Sequence, residues 1–177
     1  METMLSKCFD SEQKAMVALL WITGARPAEL LELVEDSFID RGEDMLIEIP
    51  TKKHGYLRTL PISKQTPFME YVLNYLKDPK RFSQQSHSTE FFLDGVPQRR
   101  RIFHWRSVGC VRAVVERVSL FRFCPYTFRH NRITQLAMSG ASGFELMVWK
   151  GAKDMRSVAP YIARSTSLIE GLKGKIK

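Results

Sequence analysis

Four segments of this sequence carry residues able to do chemistry. They are Thr23-Gly24-Ala25-Arg26-Pro27-Ala28-Glu29-Leu30, the turn Lys52-Lys53-His54-Gly55, Tyr126-Thr127-Phe128-Arg129-His130, and Gly151-Ala152-Lys153-Asp154 followed by Tyr161. Guanidinium groups stay charged at any working pH and grip phosphate oxygens with forked hydrogen bonds. A lysine crowded by other cations has its pKa lowered toward use as an acid. A phenol is a weak nucleophile while protonated, with a reference pKa of about 10. Neighbouring guanidinium groups and a base help it to ionise. Each residue taken singly also has a plainer explanation. Arg26 could pair with Glu29 or Glu32 at a helix start, and Arg129 could be a surface cation. Lys53 could be a solvated turn residue, and Tyr161 a packing residue after Pro160.

In their order, the four segments resemble the tyrosine recombinases, also called phage integrases. Residues 23–30 match in full that family's first box, T-G-x-R-x-x-E-L. Residues 126–130 match its second, H-x-x-R-H, with Tyr126 in place of the first histidine. The third box pairs Gly-His with a tyrosine nine residues after the histidine; Gly151 and Tyr161 keep that spacing, and Ala152 replaces the histidine. The resemblance covers roughly residues 10 to 165.

The resemblance implies a mainly α catalytic domain with a small antiparallel sheet. It also implies DNA breakage and rejoining through a 3′-phosphotyrosine intermediate, serving integration or excision of a mobile or viral element. On that match Arg26 and Arg129 clamp the phosphate, where charge builds during attack. Tyr161 is the nucleophile, and Lys53 protonates the departing 5′ oxygen. Lys53 is preferred to Lys52 because it lies five residues before Arg58 and eight before Pro61, as in the family's K-x-x-x-x-R-x-x-P pattern. Tyr126 joins the catalytic set by position; it keeps a hydroxyl but is a poor base near neutral pH. Ala152 supplies neither proton nor hydrogen bond, which leaves Lys150 or Lys153 to provide positive charge. His130 matches the structural histidine after the second arginine and is assigned a packing or hydrogen-bonding role. The implied partner is double-stranded DNA at attachment sites, bound by a homo-oligomer that is a tetramer in synapsis. No cofactor is implied. Two alternatives are a type IB topoisomerase, which shares the chemistry but relaxes supercoils, and a degenerate integrase that only binds DNA.

Composition agrees with a polyanionic partner. The chain has 177 residues and a formal charge of +8, and Lys and Arg displace counterions from nucleic-acid phosphates. Arg99, Arg100 and Arg101, followed by His104, Trp105 and Arg106, form a basic and aromatic stretch suited to backbone contacts, to which Lys153 adds a further cation. A solvated loop is the plainer reading of that stretch. Cys8, Cys110 and Cys124 form no CxxC pair and no paired carboxylates appear, so no metal site is expected. The apolar run Ala15 to Ile22 is too short to span a bilayer, and METMLSKCFDSEQ is not a signal peptide. These features suggest a cytoplasmic, DNA-associated protein with no membrane partner. One catalytic domain over residues 1–177 is expected, with a basic tail from 164 and without the family's N-terminal DNA-clamping domain.

The elements that must position these residues follow from local signals. Asp10 with Gln13 reads as a capping box ahead of a helix buried on nearly all sides, which Thr23-Gly24 stops. Pro27 opens a second helix running through Leu33. Residues 45–51 and 57–62 read as a hairpin about the Lys52–Gly55 turn. Further helices are expected over 65–76, 106–120, 128–139, 143–150 and 156–164, with Gly140 closing one and Ser142 capping the next. Residues 79–101 read as polar and irregular.

Overall fold

The apolar segment after Asp10 forms the central helix, α2 (Ser11–Thr23), preceded by the short α1 (Glu2–Ser6). The computed structural model describes residues 1–51, 56–79, 92–93, 96–97, 101–105, 107–120 and 123–173. The Asp10 carboxylate accepts from the Gln13 N–H at 2.7 Å, and the Gln13 side chain accepts from the Phe9 N–H at 3.2 Å. Residues 15–20 and Ile22 are wholly buried, so α2 meets apolar neighbours on nearly every side. Gly24 ends it in the left-handed conformation, φ 61°. A Cβ at Gly24 would also lie 3.3 Å from the Arg129 Cα, so this glycine permits two helices to approach closely.

Helix α3 (Pro27–Leu30) opens with proline at its first turn, as expected, but is a single turn long. It does not reach Leu33. Instead the Leu33 carbonyl accepts from the Ile102 N–H at 2.9 Å, and Val34 bridges Arg101. Pairing with a distant segment has won over local helix continuation.

The hairpin is present, as β2 (Asp44–Thr51) and β3 (Tyr56–Ser63), with Ile47 opposite Leu60 and Thr51 opposite Tyr56. A third strand, β1 (Phe38–Arg41), extends it into an antiparallel sheet of order β1-β2-β3. The sequence reading did not anticipate β1, whose four residues are too few to show alternation. Along β2, Met45, Ile47 and Ile49 are buried, and along β3 Leu60 and Ile62. The period of two carries that inward face on to Thr51 and Arg58, both buried.

Helix α4 (Met69–Lys77) starts later than expected because Phe68 takes a left-handed φ of 71°. Two short strands, β4 (Phe92–Leu93) and β5 (Val96–Pro97), pair within the stretch read as irregular. Helices α5 (Val108–Val118), α6 (Pro125–Met138), α7 (Gly143–Lys150) and α8 (Ala159–Lys173) follow. Pro125 starts α6 one turn earlier than expected. Helix α8 continues to Lys173, so the segment read as a tail from 164 begins inside a helix. The main core gathers α2, the sheet, α4 and α5. A smaller cluster of Ile133, Ala137, Leu146 and Val158 fastens α6, α7 and the start of α8 together.

Candidate active site

Glu29 is fully buried, and three arginines surround its carboxylate. Arg26 Nη1 lies 2.7 Å from Oε1, Arg58 Nη2 lies 2.9 Å from Oε2, and Arg129 Nη1 lies 4.0 Å from Oε2. The Arg26 backbone N–H also donates to Oε2 at 2.9 Å. Burial opposes ionisation of Glu29, but Arg58 by hydrogen bond and charge, with Arg26, holds its carboxyl below the ordinary range. Arg26 is therefore a partner for Glu29 at a helix start, as its plainer reading has it. The ion pair fixes a guanidinium whose side chain remains 29% exposed.

Arg129 is held by carbonyls. Its Nη1 donates to the Gly24 carbonyl at 3.0 Å, and its Nη2 donates to the Lys150 carbonyl at the end of α7. Helix C-termini leave such acceptors unpaired and partially negative. Burial first, then the charge of Arg26, push Arg129 down to about 10, which leaves it a cation at neutral pH. Of its five N–H donors, these two bonds use two.

Gly151 closes α7 with φ 62°. A Cβ there would meet Arg58 Nη1 at 2.6 Å and Thr51 Oγ1 at 3.2 Å. The third-box glycine thus lets the end of α7 seat directly on the last inward residues of the hairpin.

Tyr161 lies in the first turn of α8. Its hydroxyl is 2.7 Å from His130 Nδ1, and the two rings stack at 24°. Lys150 Nζ sits 4.9 Å from the Tyr161 ring centre and donates to the Ser157 carbonyl. Burial, then Arg129 and Arg26, lower the Lys150 pKa. Burial raises that of Tyr161, and the opposing charge of Arg129 does not cancel it. The expected help from a neighbouring guanidinium is real in direction but outweighed.

Of the residues singled out by sequence, Arg26 and Arg129 meet at Glu29, and Tyr161 meets His130, which follows Arg129. Lys53, its competitor Lys52, Arg99 and Arg100 lie outside the described residues. Tyr126 is in the first turn of α6, one helical turn before Arg129, and is 47% exposed. Arg101 pairs with Glu32 at 2.9 Å, and Lys153 is exposed at the surface after α7. Sequence reasoning missed Arg58 as a partner of Glu29 and His130 as the partner of Tyr161. The first was visible in principle, because alternation along 58, 60 and 62 places Arg58 on the core face. It also missed Trp149, whose Nε1–H donates to the Thr23 carbonyl at 2.8 Å and ties α7 to the first box.

The arrangement joins all three sequence boxes in one place, and a family model described as the phage integrase family matches residues 1–167. The chain belongs to the phage integrase family. Among solved structures, its fold is similar to that of the XerA recombinase, with 14% identity and a TM-score of 0.66 over 97% of this chain and 60% of that one. It is similar to XerH, a site-specific recombinase solved in a pre-cleavage complex with its difH substrate (14% identity, TM-score 0.65), over 90% of this chain and 48% of that one. The Tn1549 transposon integrase, solved with circular intermediate DNA, gives 18% identity and a TM-score of 0.56 over 94% of this chain and 62% of that one. The integrase-family chain therefore spans less than two thirds of the length of each of these proteins. Comparison with curated protein sequences gives no match. Among the described residues, no helix of this chain is long and apolar enough to cross a membrane.

Proposed function

We propose that this chain performs site-specific breakage and rejoining of DNA through a phosphotyrosine formed on Tyr161, in the integration or excision of a mobile element. The observation that carries this reading is the convergence of Arg26 and Arg129 on Glu29, with the Tyr161 hydroxyl of α8 bonded to His130, the residue that follows Arg129. Two fixed guanidiniums stabilise charge that grows on the non-bridging oxygens during attack. The Tyr161 hydroxyl gives up its proton to a neighbouring base as its oxygen bonds to phosphorus, the bond to the 5′ oxygen breaks, and Lys53 protonates the departing oxygen. The phosphodiester energy is kept in the 3′-phosphotyrosine, so the strand is rejoined without ATP. Tyr126 contributes a hydroxyl beside the clamp.

Arg99, Arg100, Arg101 and Lys153 would hold the DNA backbone by phosphate contacts. The substrate is duplex DNA at attachment sites, bound by a homo-oligomer that becomes a tetramer in synapsis, in the cytoplasm. The same chemistry could relax supercoils as a type IB topoisomerase does. The replacements at Tyr126 and Ala152 are what favour a chain that only binds DNA.

A nicked suicide duplex separates these readings, because the short leaving strand diffuses away and traps the covalent complex. The expected result is a wild-type adduct on particular sequences from a pool of nicked duplexes of randomised sequence. An adduct on all sequences, with relaxation of plasmid DNA, would favour the topoisomerase reading. Retention of duplex without covalent linkage would favour the binding-only reading.

A further inference from the structure

The sequence boxes leave the Tyr161 proton without an acceptor. Tyr126 stands where the second box has its first histidine, and Ala152 where the third box has its own. The cations near the tyrosine do not serve. Arg129 from α6 spends two N–H groups on the Gly24 and Lys150 carbonyls, Lys150 from α7 donates to the Ser157 carbonyl, and Arg26 pairs with Glu29. A charged guanidinium or ammonium has no lone pair to offer.

His130 does have one. Its Nδ1 is 2.7 Å from the Tyr161 oxygen, within the reach that a general base requires. It follows Arg129 on α6, and successive helical residues diverge by about 100°. Arg129 therefore turns inward to its carbonyls, while His130 turns outward along α8. Tyr161 is brought to it by the small core in which Val158 packs with Ile133 and Ala137. His130 is exposed, so its Nε2 edge can exchange a proton with water. An imidazole is the side chain that accepts and releases protons near neutral pH.

The geometry points to His130 as the general base of this site, a role that rests on the phosphotyrosine reading above. In cleavage the Tyr161 O–H bond and the P–O5′ bond break, and a Tyr161 O–P bond forms. The phenolic proton passes to His130 Nδ1, and the departing 5′ oxygen takes its proton from the acid assigned to Lys53. Rejoining reverses each transfer, and His130 returns the proton to Tyr161.

His130→Asn tests this directly. The asparagine Oδ1 occupies nearly the place of Nδ1 and still accepts a hydrogen bond, but takes no proton. On nicked duplexes recovered from the randomised pool with wild-type protein, initial rates of adduct formation are compared for the full chain. Both His130→Asn and His130→Ala should slow by about a hundred- to ten-thousandfold. Added imidazole should restore much of the His130→Ala rate and none to Tyr161→Phe. A His130→Asn rate near wild type would leave His130 as a holder of the ring only and overturn the proposal. Wild-type protein that forms no adduct at all would overturn the phosphotyrosine reading and this proposal with it. His130→Gln serves as a second variant if His130→Asn loses its helical circular dichroism. Nitrogen-15 NMR of wild-type protein gives a readout free of activity. It should find His130 protonated on Nε2 and bare on Nδ1, and a proton held on Nδ1 and donated to Tyr161 would overturn the proposal.

Discussion

A carboxylate with no exposure survives only when its charge is fully answered, and Glu29 is answered by Arg58 and Arg26, with Arg129 next in range. Removing one partner of a buried pair leaves an uncompensated charge, here on Arg58, whose side chain is 1% exposed. Glu29→Gln is therefore expected to cost about 3–5 kcal/mol in urea denaturation. The pH dependence has a definite sign. Because the folded pKa is depressed, this stability is present above the ordinary carboxylate value and is lost as pH falls through the lowered one. Wild type should show this acid loss and Glu29→Gln should lack it. At this scale the meeting of Arg26 and Arg129 was legible, because each stands in a short box with neighbours that fix it. The hub was less so. Glu29 could be read as one possible partner for Arg26, but its bond to Arg58 spans 29 positions and depends on which face of β3 meets α3. The role of His130 was invisible for the same reason, since its partner arrives from another helix.

Helix α7 shows how an element delivers the site. Ser142 caps its start, accepting from the Glu145 N–H at 3.2 Å while Glu145 accepts from the Ser142 N–H at 2.7 Å. Its last carbonyl, on Lys150, holds Arg129, and Gly151 lets it rest on Arg58 and Thr51. Gly151→Ala should lose about 1–2 kcal/mol for the left-handed backbone alone. It should also slow adduct formation, because the new methyl group would displace Arg58. Ser142→Ala should cost about 1 kcal/mol of stability and leave the adduct rate nearly unchanged. Equal slowing by the two, at matched stability in urea, would mean that α7 acts only through overall stability. Caps and glycine stops were readable because they are local chemistry: Asp10, Gly24, Pro27, Gly140 and Ser142 all behave as their types suggest. The unread parts were decided at a distance. Strand β1 exists by pairing with β2, α3 is cut short by the pairing of Leu33 and Val34 with Ile102 and Arg101, and α8 is longer than expected.

Over the whole molecule, two buried carboxylates bend stability in opposite directions. Glu12 on α2 accepts from the His104 backbone N–H at 2.8 Å and also touches His104 Nδ1, tying residues 101–105 to the central helix. Burial raises Glu12 from an ordinary 4.5 to about 7 and lowers His104, so both shifts disfavour a fully charged pair. A raised folded pKa means stability that is full below 4.5 and lost as pH climbs through about 7. Glu12→Gln keeps an acceptor for the backbone N–H and should flatten that loss between pH 4.5 and 7 in urea melts; an unchanged slope would place the titrating group elsewhere. The +8 charge acts at the same scale. DNA affinity should fall with salt at a log–log slope of about −0.9 for each phosphate neutralised, and an affinity indifferent to salt would contradict a phosphate-dominated interface.

On the proposed function one residue, Tyr161, becomes covalently joined to DNA within the Arg26–Arg129 clamp. The most direct measurement is mass spectrometry of the peptide left after nuclease and protease digestion of the trapped adduct. The predicted result is a nucleotide linked through its 3′ phosphate to the Tyr161 oxygen, and no such peptide from Tyr161→Phe. A nucleotide on Tyr126 or any other residue, or an adduct that persists in Tyr161→Phe, would contradict it.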